Sequence, residues 1–225
     1  MSKDLKQAIQ REYLKSAQDP VHFMRKYCTI QHPTKGKVKF DLYPFQEKCL
    51  TEFNENRYNI ILKARQLGIS TLSAGYSLWL MLFHNDKNIL VIATGKDTAK
   101  NLVTKVRVMY ENLPQWLKTG TEEVNKLSLR FTNGSQIKAI ASNESAGRSE
   151  ALSLLIIDEA AFIDRIDTIW TAAQQTLSTG GGCIALSTPN GVGNWFHKQW
   201  LGAEDGTNNF NTIRLHWTDH PDRDQ

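Results

Sequence analysis

The stretch YNIILKARQLGISTLSAGYSLWLMLF, residues 58–83, decides the fold of this chain. Residues 58–62 form a short apolar run that predicts a buried strand, and residues 70–83 are apolar on most sides, which predicts a buried helix. Between them lies a polar turn with a single glycine, Gly68. A strand, a short glycine-bearing turn and a helix predict the beginning of a layered α/β domain.

The alternation of strands and helices continues towards the C-terminus. We predict buried strands at 88–93, 152–157 and 183–187, a last strand at 212–217, and helices at 94–112 (with Thr94 as its cap), 165–177 and 195–201. Asn133-Gly134 predicts a hairpin joining strands at 127–131 and 135–140. Such alternation predicts a mostly parallel sheet with helices on both faces. Ligands bind these sheets at the carboxyl ends of the strands.

The first 57 residues show a helical pattern instead. We predict helices at 4–17, 20–28 and 44–53, the second with Asp19 as its cap and Pro20 in its first turn. Residues 1–40 are therefore expected to form a helical segment that packs on a domain comprising residues 41–225. The charged start predicts no signal peptide, and no apolar run approaches the ~20 residues that span a bilayer.

The composition is that of an ordinary folded domain, with 40% hydrophobic and 22% charged residues among 225. It excludes a disordered chain, a fibre and a repeat array. Three scattered cysteines, Cys28, Cys49 and Cys183, argue against a disulfide framework or a zinc site and fit a reducing cytosol.

The charge is distributed unevenly along the chain. Residues 1–148 carry 23 Lys and Arg against 13 Asp and Glu, which is +10, whereas residues 149–225 carry 4 against 10, which is −6. The basic part is compatible with a surface that faces a polyanion. Charge alone favours the other interpretation, a set of solvated helix faces.

The turn at 63–71 partly matches the phosphate-loop pattern G-x-x-x-x-G-K-[ST]. Gly68 fits the second glycine and Ser70 fits the hydroxyl that binds magnesium. Lys63 replaces the first glycine and Ile69 replaces the lysine, so the positive charge has moved to the start of the loop. From there the long Lys63 side chain can still reach the β- and γ-phosphates, and Arg65 adds a second cation. Alone, the turn is equally compatible with an ordinary strand–turn–helix.

Two adjacent carboxylates, Asp158 and Glu159, follow the apolar run at 152–157. Buried carboxylates are costly unless they are paired or bound to metal. In a phosphoryl-transfer site, Asp158 would hold magnesium and Glu159 would orient and polarise the attacking water. The alternative is a helix N-terminus, where acidic residues are favoured anyway. Combined with the loop upstream, the pair favours nucleotide hydrolysis.

A third set of polar residues, Ser187, Thr188 and Asn190, follows the strand at 183–187. Side chains there could contact the γ-phosphate or its water and transmit hydrolysis to the rest of the protein. By itself, Ser-Thr-Pro-Asn-Gly favours a simple turn.

Together these motifs resemble the ATPase domain of the large terminase subunit, the motor that packages DNA into tailed bacteriophage capsids. The matching segments are LYPFQ (42–46), KARQLGIST (63–71), LLIIDEAAF (154–162) and LSTPNG (186–191). The resemblance implies the additional-strand, RecA-like P-loop ATPase fold, an α/β fold with a mostly parallel sheet flanked by helices.

The resemblance also implies an activity and partners. It implies Mg²⁺-dependent ATP hydrolysis that drives double-stranded DNA of any sequence into a procapsid. It further implies a homo-oligomeric ring assembled on a portal, a small terminase subunit as partner, no membrane, and a location in the cytoplasm of the infected bacterial host.

The resemblance assigns roles residue by residue. The residues it implies for ATP binding, in which Gln46 reads the adenine, are Gln46, Lys63, Arg65, Gln66, Gly68, Ile69, Ser70 and Thr71. Ser70 and Asp158 would hold magnesium, and Glu159 would be the catalytic glutamate. Coupling would fall to Ser187, Thr188 and Asn190. Arg148 and Arg65 are competing candidates for an arginine finger, the first for a neighbouring subunit's ATP and the second for its own subunit's.

The resemblance implies a C-terminal nuclease domain as well, but we find no cluster of aspartates for one in the sequence. The chain is therefore expected to be either an isolated ATPase domain or a truncated part of a longer subunit. Two alternatives stay open. One is a helicase-like nucleic-acid-dependent ATPase, which usually needs a second similar domain. The other is a catalytically inactive nucleotide-binding module, suggested by Ile69 in the lysine position.

Overall fold

The computed structural model describes residues 2–32, 34–142 and 151–221. Its α-helices are α1 (Lys3–Gln18), α2 (Pro20–Tyr27), α3 (Pro44–Glu55), α4 (Ile69–Phe83), α5 (Lys96–Glu111), α6 (Ile166–Leu177) and α7 (Trp195–Glu204). Its strands are β1 (Thr29–His32), β2 (Gly36–Lys39), β3 (Tyr58–Lys63), β4 (Asn88–Ala93), β5 (Thr121–Val124), β6 (Ser128–Phe131), β7 (Gln136–Ala141), β8 (Leu154–Asp158), β9 (Gly182–Ser187) and β10 (Asn211–Leu215).

Eight of these strands form one sheet in the order β10-β3-β9-β8-β4-β7-β6-β5. The strands from β10 to β7 are parallel to their neighbours, while β6 and β5 add an antiparallel edge. The prediction of a mostly parallel sheet is confirmed. β9 lies between β3 and β8, which is the inserted position that the additional-strand fold requires, so the carboxyl ends of β3, β9 and β8 lie side by side.

The sheet separates two apolar cores. Because side chains alternate across a strand, Ile61 and Ile156 belong to the core beneath α4 and α5, whereas Ile60 and Ile157 belong to the core beneath α6 and α7. Burial on both faces explains why the central strands read as continuous apolar runs rather than as alternating patterns.

The N-terminal segment packs on the first of these cores through Phe23, Met24 and Phe40. Asp19 caps α2 as predicted, because its Oδ1 accepts from the backbone N–H groups of Val21 (2.9 Å) and His22 (3.0 Å). The segment is not purely helical, however. β1 and β2 form an antiparallel hairpin between α2 and α3 that the helical pattern did not predict.

Several predicted boundaries shift by a few residues. Gly95, not Thr94, precedes α5, and β8 extends to Asp158. The predicted hairpin at Asn133-Gly134 joins β6 and β7. The short strand β5 was not predicted at all. Among the described residues, no helix combines the length and the apolar character needed to cross a bilayer.

Candidate functional site

The turn between β3 and α4 has a backbone that only glycine fits at its end. Gly68 precedes α4 with φ +74°, in the left-handed region. A Cβ at this position would lie 2.7 Å from Nε2 of Gln46. Conformation and close approach therefore both require glycine. Gln66 also has a positive φ, of 60°, which marks the turn as a tightly constrained segment.

Gln46 supports this turn from α3. Its side chain is buried, its Oε1 accepts from the N–H of Tyr43 (3.1 Å), and its Nε2 donates to the carbonyl of Leu67 (3.0 Å). These bonds use the amide oxygen and one amide hydrogen. In this structure Gln46 thus holds the loop in place, and its bonds to other described residues leave one amide hydrogen for a further partner.

Glu159 connects the turn with the end of β9. Its Oε1 lies 2.8 Å from Nζ of Lys63, at the end of β3. Its Oε2 accepts from the backbone N–H (3.3 Å) and the hydroxyl (3.2 Å) of Thr188. Burial raises the pKa of Glu159, but the hydrogen bond and charge of Lys63, together with Thr188, outweigh this effect and hold that pKa below its ordinary value.

The backbone of Glu159 argues against a simple capping role. Its φ of 54° and ψ of 46° place a non-glycine residue in the left-handed region. Although Glu159 precedes a short 3-10 helix at Ala160–Phe162, its side chain does not cap that helix. The carboxylate is directed to Lys63 and Thr188 instead. Strain of this kind is typical of functional sites.

Asp158, the last residue of β8, is 6% exposed, and its Oδ1 has no hydrogen-bond partner among the described residues. Burial raises the pKa of Asp158, while a hydrogen bond from Ser70 and the charge of Lys63 oppose that rise. An orphaned carboxylate oxygen beside a hydroxyl fits the oxygen ligands that Mg²⁺ prefers. No cluster of three His, Cys, Asp or Glu able to hold a metal occurs in the described part of the chain.

The segment after β9 is bonded to the residues that follow Glu159. The hydroxyl of Ser187 accepts from the N–H of Ala161 (3.1 Å), and Nδ2 of Asn190 donates to the carbonyl of Ala161 (2.9 Å). Ser187, Thr188 and Asn190 thus all contact the segment 159–161. The three sets of residues predicted at separate strand ends meet in one place.

A cavity of about 790 Å³ opens beside the turn. Residues 66–71, Lys63 and Glu159 line it, and the β1–β2 hairpin and Tyr43 contribute further wall. Lys105 of α5 lines it as well. Sequence reasoning missed both Lys105 and the hairpin. An isolated lysine on an amphipathic helix carries no signal for a site, because only packing decides where it lies.

The remaining predicted residues have different placements. Ile69 is 1% exposed and belongs to the core beneath α4, so the position of the generic phosphate-loop lysine is apolar and buried. Arg65 is exposed at the turn and is not among the residues that line the cavity. Arg148 lies outside the described residues.

The sheet order, the glycine turn and the acidic strand end define the class of protein. They give the RecA-like fold of P-loop ATPases, with β9 as the additional strand. The family model "Terminase large subunit, T4likevirus-type, N-terminal" matches residues 60–219. The chain belongs to this family of large terminase subunits.

Individual relatives agree with this assignment. The chain is 24% identical over 177 residues to "Probable terminase, large subunit gp28" of Escherichia phage Mu, an alignment covering 72% of this chain and 32% of that protein. The chain therefore spans about a third of the length of this curated relative.

Two solved structures share the fold. The large terminase ATPase domain of Thermus phage P74-26 superposes with a TM-score of 0.59 at 23% identity, covering 75% of this chain and 79% of that one. The HK97 bacteriophage large terminase superposes with a TM-score of 0.70 at 17% identity, covering 92% of this chain and 45% of that one.

Proposed function

We propose that this chain hydrolyses Mg-ATP and is the motor part of a large terminase subunit, driving double-stranded DNA into a viral procapsid. The observation that carries the proposal is the position of Glu159. Its carboxylate borders the cavity beside the phosphate-type turn, and it is held by Lys63 on one side and Thr188 on the other.

In the proposed complex, the phosphates lie over the backbone N–H groups at the start of α4, from Gly68 to Thr71, where the helix dipole favours an anion. Ser70 and Asp158 would hold magnesium, which supplies positive charge that neutralises the phosphate oxygens. Gln46 keeps the turn in the shape that binds phosphate, and its remaining amide hydrogen is available to the adenine.

Lys63 and Glu159 are paired in the structure. A triphosphate would compete with Glu159 for the ammonium of Lys63. Loss of that pairing leaves Glu159 held by Thr188 and able to accept a hydrogen bond from water, which is the geometry a water-orienting base needs. Nucleotide binding would thus itself release the catalytic group.

In this proposal, movement of Glu159 on hydrolysis is transmitted through the backbone of Ala161. Since Ser187 and Asn190 both bond to its backbone, a displacement of Glu159 is transmitted to the loop after β9. We assign the arginine finger to one of two residues, Arg65 in the same subunit or Arg148 acting on a neighbour in a ring on the portal. Removing such a finger typically costs ~10³–10⁵ in rate.

The test is the variant Glu159→Gln. It should bind an ATP analogue as well as the wild type does or better, because Lys63 loses its competing partner. Its turnover should fall by at least about 10². Glu204→Gln, an exposed glutamate that pairs with Arg214 on the surface, is the matched control and should keep its activity.

Three results would contradict the proposal. Undiminished turnover in Glu159→Gln would remove this residue from the mechanism. A wild-type protein that binds ATP but never hydrolyses it, with or without DNA, would point to the inactive nucleotide-binding module. ATP-dependent unwinding of a tailed duplex would instead favour the helicase-like alternative.

A further inference from the structure

Lys105 lies on the core-facing side of α5. Its neighbours one turn away, Leu102 and Met109, are both buried, as is the adjacent Val106. A lysine that serves only solubility belongs on the opposite side of such a helix. Instead, Lys105 is partly buried and lines the cavity with Lys63 and Ser70.

The ammonium of Lys105 has no pairing group within residues 2–32, 34–142 and 151–221. There it makes neither a hydrogen bond nor an ion pair, although it interacts electrostatically with Asp158 and Lys63. Burial lowers the pKa of Lys105, and the like charge of Lys63 lowers it further. Two cations beside the same partly desolvated space repel each other, and a polyanion bound between them would remove that repulsion.

The formal charges beside the turn also favour an anion-binding role for Lys105. Beside the turn itself, the partly or fully buried lysines and carboxylates are Lys63, Lys105, Asp158 and Glu159, whose formal charges cancel, while the exposed Lys35, Lys39 and Asp41 line the hairpin side of the cavity. Without Lys105, these partly or fully buried groups would be one lysine and two carboxylates. The lysine of the generic loop cannot compensate, because Ile69 takes its place and is buried in the core.

Resting on the proposed function, we infer that Lys105 binds the β- and γ-phosphates of the nucleotide and supplies, from α5, the cation that the loop lacks at Ile69. Lys63 and Lys105 then grip the phosphate chain from β3 and from α5. Lys105 thereby makes the site selective for triphosphates over monophosphates.

The experiment compares ligand affinities of Lys105→Met, Lys105→Arg and Lys96→Met. The last is the matched control, an exposed lysine on the same helix. A fluorescent ATP analogue is displaced by ATP, inorganic triphosphate or AMP. Lys105→Met should bind ATP and inorganic triphosphate about tenfold or more weakly, with AMP almost unchanged. Lys105→Arg should stay within a few-fold of the wild type, and Lys96→Met should not differ from it.

The outcomes separate this inference from the proposed function. A wild type that binds no ATP defeats the proposed function. A wild type that binds ATP and a folded Lys105→Met that binds triphosphate equally well defeat only the role of Lys105. Should Lys105→Met not fold, labelling of the wild type with a lysine-reactive acyl-phosphate derivative of ATP tests the role of Lys105 instead. Label on Lys105, lost when ATP is in excess, supports the role, and its absence from Lys105 while Lys63 is labelled contradicts it.

Discussion

Lys63 and Ile69 occupy the positions at which a generic phosphate loop has its first glycine and its lysine, so the positive charge lies at the opposite end of the loop. The generic pattern puts the cation just after the second glycine, whereas here that residue is apolar and 1% exposed. The cation stands at the end of β3, with its side chain 7% exposed and its ammonium on Glu159. A buried ammonium keeps its charge only near an anion. Carboxylate and phosphate are therefore alternative partners for it.

This position of the charge predicts opposite phenotypes for two substitutions. Lys63→Met should weaken binding of ATP and inorganic triphosphate by about tenfold to a hundredfold, since it removes a charged hydrogen-bond donor. Ile69→Ala should leave phosphate affinity almost unchanged but lower the free energy of unfolding by about 2–5 kcal/mol through a cavity in the core. Displacement titrations and urea unfolding of both variants measure the two effects. The reverse assignment of phenotypes would show that the charge of the loop has been misplaced.

The sequence alone predicted where Asp158 and Glu159 lie, but it did not predict which residues they contact. Asp158 and Glu159 could be placed because they terminate an apolar run, and strand ends of a parallel sheet converge. The contact between Glu159 and Thr188 depends on β9 lying beside β8, which no local pattern encodes. The support of the turn by Gln46 likewise depends on how α3 packs, and motif spacing carries no information about it.

Among the elements, the junction of β3 and α4 is the most constrained. Gly68 has a left-handed backbone and touches Gln46, so two separate costs would accompany a side chain there. Gly206, at φ +72°, has the same backbone, but a Cβ added to it would meet no described atom within 4 Å. Comparing substitutions at Gly68 and Gly206 therefore separates the cost of the left-handed backbone from the cost of the contact with Gln46.

We predict that Gly206→Ala lowers the free energy of unfolding by about 1–2 kcal/mol, the cost of a left-handed alanine. Gly68→Ala should cost more, because Gln46 must also move. Only Gly68→Ala should weaken triphosphate binding. Chemical denaturation and nucleotide titration of the two variants check this, and equal losses in both would mean that the contact with Gln46 has no energetic consequence.

The elements that sequence predicted are those with strong apolar patterns. β4, β8 and β9 are buried on both faces and read as continuous runs of apolar residues. β5 is exposed along its whole length and owes its conformation to pairing with β6. The β1–β2 hairpin alternates single apolar residues, Ile30 and Val38, with polar ones over four residues per strand, too short to distinguish from a loop.

For the whole molecule, the uneven charge becomes informative once the family is known. The excess of +10 in residues 1–148 is compatible with binding a polyanion. The packaging motor proposed above would have to hold duplex DNA of every sequence. Such a grip acts on phosphates, which carry no sequence information. Each neutralised phosphate releases counterions, so the affinity must fall with salt.

We therefore predict that the chain binds unrelated duplexes of equal length with the same affinity. The logarithm of the affinity should fall linearly with the logarithm of salt concentration, with a slope of about −2.7 if three phosphates are contacted. Between 50 and 200 mM salt, that slope amounts to about a fortyfold loss of affinity.

Fluorescence anisotropy of labelled duplexes measures this slope. Glu159→Gln, which alters only the nucleotide site, serves as the control and should give the same slope. A salt-independent affinity, or a preference for one sequence, would contradict a grip on phosphates, because a contact with base edges neutralises no phosphate and differs from one base pair to the next.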